Sequence, residues 1–257
     1  MSILRPLPAR RLCRVAPPRR LVRSVLLAGL LLIAFGASRG AAQQRKVQNK
    51  PFIDERRFHY GFTVGFHDQG LDLVNNGYID PATGDQWLAA ADRQNFGLNV
   101  GVLGEWKLSN YFALRLIPSL YFGSKHLMFR NLATGKTESQ DMKSSYIALP
   151  VDIKVSGPRF NNYRPYVVAG VNPLYDLTAG KHTKLRAKPF DVMLEAGLGC
   201  DLYLSFFKFI PELKFCFGLG NILQKRRTDL TDSTQLIYTQ SVDRASLGMV
   251  VLSFYFE

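Results

Sequence analysis

The chain has 257 residues, enough for one large β-domain or two ordinary domains. Its formal charge of +13 suggests a nucleic-acid or membrane partner. However, eight of the 33 basic residues are arginines in residues 1–42, which contain no acid. The rest of the chain carries 25 basic and 20 acidic residues, so its charge gives no reason to expect a nucleic-acid partner.

Residues 1–42 have the pattern of a secretory signal peptide. An arginine-rich start is followed by an apolar run at residues 25–35 (VLLAGLLLIAF) and by small residues at 40–42. This run of 11 residues is shorter than the roughly 20 that a transmembrane helix needs. We therefore expect export and cleavage, with a retained signal anchor as the alternative. Residues 43–57 are polar and predict a periplasmic lead, and residues 58–257 predict a barrel domain.

Strict alternation of apolar and polar residues predicts β-strands, because successive side chains of a strand point to opposite faces. In the hairpin 190–218, Leu194 and Leu198 share one face while Glu195 and Asp201 share the other. Each arm has about the 9–11 residues that a tilted strand needs to cross a bilayer, with lipid on one face and a polar lumen on the other. The same alternation predicts further strands at residues 58–67, 96–107, 112–122, 145–155, 163–175 and 246–256.

The predicted connections alternate between long and short: 68–95, 108–110, 124–144, 156–162, 176–189, 205–206 and 218–245. Outer-membrane barrels have short periplasmic turns, long outer loops and an even number of strands. The sequence therefore predicts an all-β fold, an eight-stranded antiparallel transmembrane β-barrel integral to the outer membrane with both termini periplasmic. Aromatic residues near strand ends fit the interfacial girdles of such barrels, among them Trp106, Tyr111, Tyr121, Tyr163 and Tyr203.

An eight-stranded barrel is just wide enough for its own side chains, so charges inside it must pair. Acids and bases of inward parity nearly balance, which predicts an ion-pair plug of the lumen. Its members are Glu105, Arg115, Asp152, Lys154, Asp191, Glu195, Asp201, Glu212 and Lys214. A narrow ion path and a paired-carboxylate active site are the alternatives, and near-neutral balance favours neither.

Beyond the predicted signal peptide, residues 43–257 contain no HExxH, no zinc-type Cys/His spacing and no GxSxG. We therefore expect no enzymatic activity, no catalytic or metal-binding residue, no cofactor and no small-molecule substrate. A lipid-modifying site that joins His126 or His182 to Ser124 or Asp176 is the weaker alternative. Cysteines 200 and 216 have opposite strand parity, which predicts two free thiols and no disulfide.

Several segments resemble the PorT family: residues 50–62 (KPFIDERRFHYGF), 159–166 (RFNNYRPY), 210–219 (IPELKFCFGL), 221–225 (NILQK) and 254–257 (FYFE). The resemblance covers residues 51–257 and departs in the long arginine-rich start and in the length of the first loop. It implies an outer-membrane barrel component of the type IX secretion system of the Bacteroidetes, which exports folded cargo to the cell surface and supports motility in gliding relatives. It implies no catalytic residues.

An assembly role would place partner-binding surfaces on loops and rims. Arg56, Arg57, Arg159 and Arg164 are predicted to make the periplasmic rim basic and to bind other secretion subunits. A solvated turn beside lipid phosphates is the alternative for these arginines. The expected partners are therefore outer-membrane lipid and secretion subunits. A small barrel that serves as an adhesin or stabilises the envelope is the alternative function.

Overall fold

In the computed structural model of the protein, the residues described are 47–79, 84, 86–91, 95–132, 134–179, 187–224 and 240–257. The predicted signal peptide lies outside these residues. After a short 3₁₀ turn, Ile53–Glu55, the described chain forms eleven strands. They are β1 (Phe58–Asn75), β2 (Trp87–Ala91), β3 (Phe96–Lys107), β4 (Phe112–Leu116), β5 (Ser119–Asn131), β6 (Thr137–Ala148), β7 (Val151–Ser156), β8 (Tyr163–Asp176), β9 (Phe190–Tyr203), β10 (Lys208–Gly218) and β11 (Val242–Phe256). No helix in the described ranges is long and apolar enough to cross a membrane.

The strands close into a barrel, because β1 pairs with β3 on one side and with β11 on the other. Strands β4 and β5 share one position in the wall, and so do β6 and β7. Eight positions therefore surround the lumen, in the order β1, β3, β4–β5, β6–β7, β8, β9, β10 and β11. The short strand β2 pairs with β5 beyond the end of β3. The predicted eight-stranded antiparallel barrel is confirmed.

Two prolines interrupt the wall. Pro118 separates β4 from β5, and Pro150 separates β6 from β7. Proline has no N–H group to donate to a neighbouring strand, so each of these two prolines removes a hydrogen bond from the ladder. The two breaks are adjacent, because the Ile117 N–H donates to the Pro150 carbonyl at 3.0 Å. The sequence pattern predicted two continuous strands here, and the structure has four shorter ones.

The two faces of the wall have the predicted parity. On β1, Phe62 and Phe66 point outward and are more than half exposed, whereas Thr63 and His67 point inward and are buried. Large apolar side chains of other strands share the outward face: Leu98, Val100, Val102, Phe122, Ile153, Val167, Leu194, Leu198, Phe215, Phe217, Val250 and Leu252. The girdle prediction was wrong for Tyr121 and Tyr203, which face the lumen and are 6% and 1% exposed.

One end of the barrel has short turns at residues 108–111, 157–162 and 204–207. In the last of these, the Leu204 N–H donates to the Phe207 carbonyl at 3.0 Å. Residues 47–57 and Glu257 lie at this same end. We call it the short-turn end and the opposite one the long-loop end.

At the long-loop end the strands extend past the bounds that the sequence pattern indicated. Strand β1 continues to Asn75, and β5 and β6 pair as far as Arg130 and Thr137. The predicted loop 124–144 is therefore mostly a paired hairpin, and that prediction was wrong. Inward-facing Leu127 and Phe129 are buried in it and stabilise the extension.

Candidate functional site

An ion-pair network fills the lumen nearer the short-turn end, and Arg115 lies at its centre. This side chain of β4 has 0% exposure. Its Nε donates to Glu105 at 2.7 Å, and its Nη1 donates to Glu212 at 2.7 Å. The guanidinium carbon lies 4.7 Å from the ring centre of Tyr166. Because β10 stands four wall positions from β4, the Arg115–Glu212 pair spans the lumen between opposite walls.

Two lysines extend the network to further strands. Lys154 of β7 donates to the Asp201 carboxylate at 2.8 and 3.0 Å and approaches Glu105 at 3.4 Å. Lys214 of β10 donates to Asp152 at 2.5 Å and to Glu195 at 2.8 Å. These four carboxylates are less than a tenth exposed. A buried charge is tolerated only when it is paired, so each ion pair fixes the strands that carry it.

Sequence reasoning missed two charged members of the network. Lys208 bonds Glu257 at 2.9 Å and lies 3.6 Å from Asp201, and Glu257 also pairs with His59. Inward parity in β10 was a usable signal for Lys208. Glu257 follows the last strand, so strand parity does not assign it to either face. With these two residues, four lysine and arginine cations connect six carboxylates in one continuous network.

Of the nine residues predicted to plug the lumen, eight belong to this network and Asp191 does not. Asp191 begins β9 at the long-loop end. There its carboxylate lies close to Gly218 and Gly220. The Asp191 side chain faces inward as predicted, but its position along the barrel axis separates it from the other charges.

Apolar side chains fill the lumen nearer the long-loop end. The buried cluster includes Leu71, Trp87, Leu127, Phe129, Met142, Met193, Cys216, Leu247 and Met249. Lys125 is buried at this level and donates to the Tyr146 hydroxyl. The cavity beside the ion-pair network, lined in part by His59 and Lys208, has a volume of about 20 Å³, hardly more than one water molecule requires. Side chains therefore occupy both halves of the lumen.

The segment 47–57 crosses the mouth of the barrel at the short-turn end, and we call it the mouth segment. Near its start, Asn49 bonds Asn162 at 2.8 Å and the Tyr203 carbonyl at 3.0 Å. At its other end the chain enters β1. The Asn162 turn leads into β8, which stands four wall positions from β1. The mouth segment therefore connects opposite walls.

The four predicted rim arginines do not form one surface. The Arg159 guanidinium donates to Asp54 at 3.1 Å and lies 3.6 Å from the ring centre of Tyr203. Arg164 donates to the Gly157 carbonyl at 2.8 Å and to the carbonyl of residue 110. Both therefore hold the rim together. Arg56 and Arg57 are exposed on the mouth segment.

The other chemistry-bearing residues are dispersed. His126 pairs with Asp141 at 2.5 Å, whereas Asp176 accepts hydrogen bonds from Thr178. His182 and the basic residues 225–227 lie outside the described residues. The part of the chain that the structure describes contains no group of three His, Cys, Asp or Glu residues arranged to hold a metal ion. The prediction of free thiols is confirmed for Cys200 and Cys216.

The fold and the two faces of its wall define the class of protein. A closed antiparallel barrel with an apolar outer surface satisfies its backbone hydrogen bonds internally and presents its side chains to lipid. The chain belongs to the family described as "Outer membrane protein beta-barrel domain", whose model matches residues 41–224. It is therefore an outer-membrane β-barrel protein.

Two solved structures are similar to the chain at low identity. The outer membrane protein OprG from Pseudomonas aeruginosa is 12% identical, with 77% of this chain and 92% of that chain covered and a TM-score of 0.43. The outer membrane protein AlkL in DMPC lipid bilayers is 12% identical, with 77% and 87% covered and a TM-score of 0.31. No curated protein matches the chain.

Proposed function

We propose that the protein is an accessory or assembly component of the type IX secretion system, needed for export of cargo proteins to the cell surface. The resemblance of residues 50–62, 159–166 and 210–219 to the PorT family supports this system. The filled lumen is the observation that supports an accessory role, because the Arg115–Glu212 pair crosses the space that cargo would need. A folded cargo protein requires a far wider barrel than eight strands enclose.

The proposal assigns the short-turn end and both termini to the periplasm, as in other barrels with short periplasmic turns. The signal peptide is removed on export. Outer-membrane lipid contacts the apolar wall, and other secretion subunits contact the loops or the mouth. The protein has no catalytic role, binds no cofactor and binds no nucleic acid.

A deletion strain tests the proposal directly. Surface-attached and secreted proteins are compared among the parent, the deletion strain and a strain with the gene restored. Accumulation of cargo in the periplasm, reversed by restoration, is the expected result. Restoration with a Phe217→Ala variant should reverse the accumulation as well, because Phe217 is 63% exposed on the lipid-facing wall and faces away from the lumen.

Normal export in the deletion strain would overturn the secretion role. Weakened detergent resistance without loss of export would then favour the envelope-stabilising barrel. Loss of adhesion alone would favour the adhesin. None of these outcomes bears on the assignment of a barrel fold, since that assignment is supported by the strand pairing and the family match.

A further inference from the structure

We propose that the outward surface of the mouth segment is a docking site for an acidic segment of another periplasmic or outer-membrane protein, which inserts an apolar side chain beside Phe52. The proposal rests on the proposed function insofar as the partner is a secretion subunit. Four properties of the mouth segment support it: an open depression, an exposed aromatic ring, a rigid base and a positive charge.

The depression lies on the mouth segment itself. Its volume is about 280 Å³, and it is lined by Lys50, Pro51, Phe52, Ile53 and Arg56. Phe52 is 72% exposed, whereas its neighbour Ile53 is only 9% exposed. An aromatic ring and an arginine beside an apolar depression are typical of the residues that dominate binding at protein interfaces.

The base of the depression is held rigidly. The Tyr203 hydroxyl donates to Asp54 at 2.7 Å, and Arg159 bonds the other oxygen of Asp54 at 3.1 Å. The Arg159 guanidinium also donates to the carbonyl groups of residues 49 and 50. Because these contacts fix the backbone on both sides of Phe52, little conformational freedom remains to be lost when a partner binds.

The charge of the surface selects the partner. Lys50 and Arg56 line the depression, the neighbouring Glu55 and Arg57 have opposite charges, and Arg159 compensates the charge of Asp54. Complementarity therefore favours a negatively charged partner. Lipid phosphates are the competing anions. However, lipid surrounds the outer wall of the barrel, whereas the mouth segment crosses the opening of the lumen. A protein in the periplasm meets this surface directly, so we assign the site to a protein.

Photo-cross-linking in living cells tests the proposal on the full chain. A photoreactive phenylalanine replaces Phe52, and a second strain carries it at Phe206, which is 91% exposed in the turn 204–207 at the perimeter of the same end. Mass spectrometry then identifies the cross-linked segment. We expect position 52 to capture one segment with net negative charge and position 206 to capture mainly lipid.

Two charge reversals distinguish binding in the depression from a general effect of surface charge. Arg56→Glu changes a lining residue, and Arg57→Glu changes an adjacent exposed arginine that does not line the depression. Arg56→Glu should lower the yield of cross-linking at position 52 by about fivefold or more, as expected when an interface anchor is lost. Arg57→Glu should change the yield less than twofold, as for a residue outside the contact. Heat-modifiable migration on gels verifies that each variant folds.

Several results would overturn the docking site. They are a basic cross-linked segment, cross-links to lipid only at position 52, no cross-link there, or equal effects of the two charge reversals. The secretion role is judged separately, because the deletion strain measures it without reference to the mouth segment. Blocked export in the deletion strain with normal export in a Phe52→Ala, Arg56→Glu variant would refute the docking site alone.

Discussion

Removal of the Arg115 side chain should destabilise the barrel more than any surface substitution. Arg115→Ala leaves Glu105 and Glu212 without the cation that lies 2.7 Å from each of them. Both carboxylates remain buried, at 7% and 1% exposure, so water cannot replace the lost hydrogen bonds. An unpaired buried charge of this kind typically costs about 3–5 kcal/mol of unfolding free energy.

The remaining contacts set the size of the effect within that range. Glu105 keeps Lys154 at 3.4 Å, and Glu212 keeps Lys214 at 3.5 Å. The hydroxyl of Tyr166 also continues to donate to Glu212 at 2.6 Å. Because each carboxylate retains one cation, we expect a loss near the lower bound, about 3 kcal/mol.

Urea unfolding of the barrel in lipid vesicles, followed by heat-modifiable migration on gels, measures this loss. Arg130→Ala is the matched control, since Arg130 is exposed on the outer face of β5 and should change the unfolding free energy by less than about 0.5 kcal/mol. Arg115→Met combined with Glu105→Gln and Glu212→Gln should recover part of the stability, because the triple variant leaves no unpaired charge. A loss below about 1 kcal/mol in Arg115→Ala, or no recovery in the triple variant, would refute the reasoning.

Three further predictions concern the ends of the network, the thiols and the lumen. Burial alone would raise the pKa of Glu257, but its hydrogen bond with His59 and the charge of Lys208 outweigh burial and lower that pKa. Glu257→Gln should therefore be less stable than wild type at neutral pH. The difference should shrink as the pH falls below about 4.3, the usual pKa of a glutamate in an unfolded chain, and should vanish below the lowered pKa of Glu257 in the folded protein. Unfolding free energies of the two proteins, measured as a function of pH, test this. A membrane-permeant maleimide should label Cys200 in the folded protein and Cys216 only after unfolding, because Cys216 is 2% exposed in the lumen; peptide mapping distinguishes the two. Planar bilayers should show no steady conductance with wild-type protein or after removal of residues 47–57, since the ion-pair network fills the lumen above the mouth; channel activity in either sample would contradict this.

The wall of the barrel was predictable because one physical rule governs it. Lipid on the outside and charge on the inside impose a period of two on each strand, and that period was visible in the hairpin 190–218. The registers were not predictable. The breaks at Pro118 and Pro150 were also missed, because alternation on both sides of each proline remained in phase.

The long-loop end shows where the rule fails. Above the membrane the solvent is outside the barrel and the apolar core is inside, so the pattern inverts. On the hairpin β5–β6, Leu127 and Met142 face inward, whereas His126 and Asp141 face outward. A search for apolar residues on the outward face therefore ends each strand too early, which is why residues 124–144 read as a loop.

Strand parity identified most charges of the lumen but none of their partners. Parity places Asp152 and Asp191 on the same inner face, yet only Asp152 meets Lys214. Height along the barrel decides between them, and height depends on the stagger of the strands, which a single sequence does not reveal. Near-balance of charge was therefore a sound guide to a paired lumen, although it could not specify the pairs.

The contacts of the rim arginines join residues that are far apart in the chain, so no local sequence pattern could predict them. Arg159 and Arg56 are equally basic in sequence, but the partner of Arg159 is Asp54, 105 residues earlier in the chain. Only a mouth segment that crosses to the opposite wall brings these two residues together. The crossing brings Asp54 to Arg159, whose charge it compensates, whereas Arg56 remains on the exposed surface. Which arginines can meet a partner is therefore decided by the path of the mouth segment, and a count of basic residues at one end of the barrel overstates the available charge.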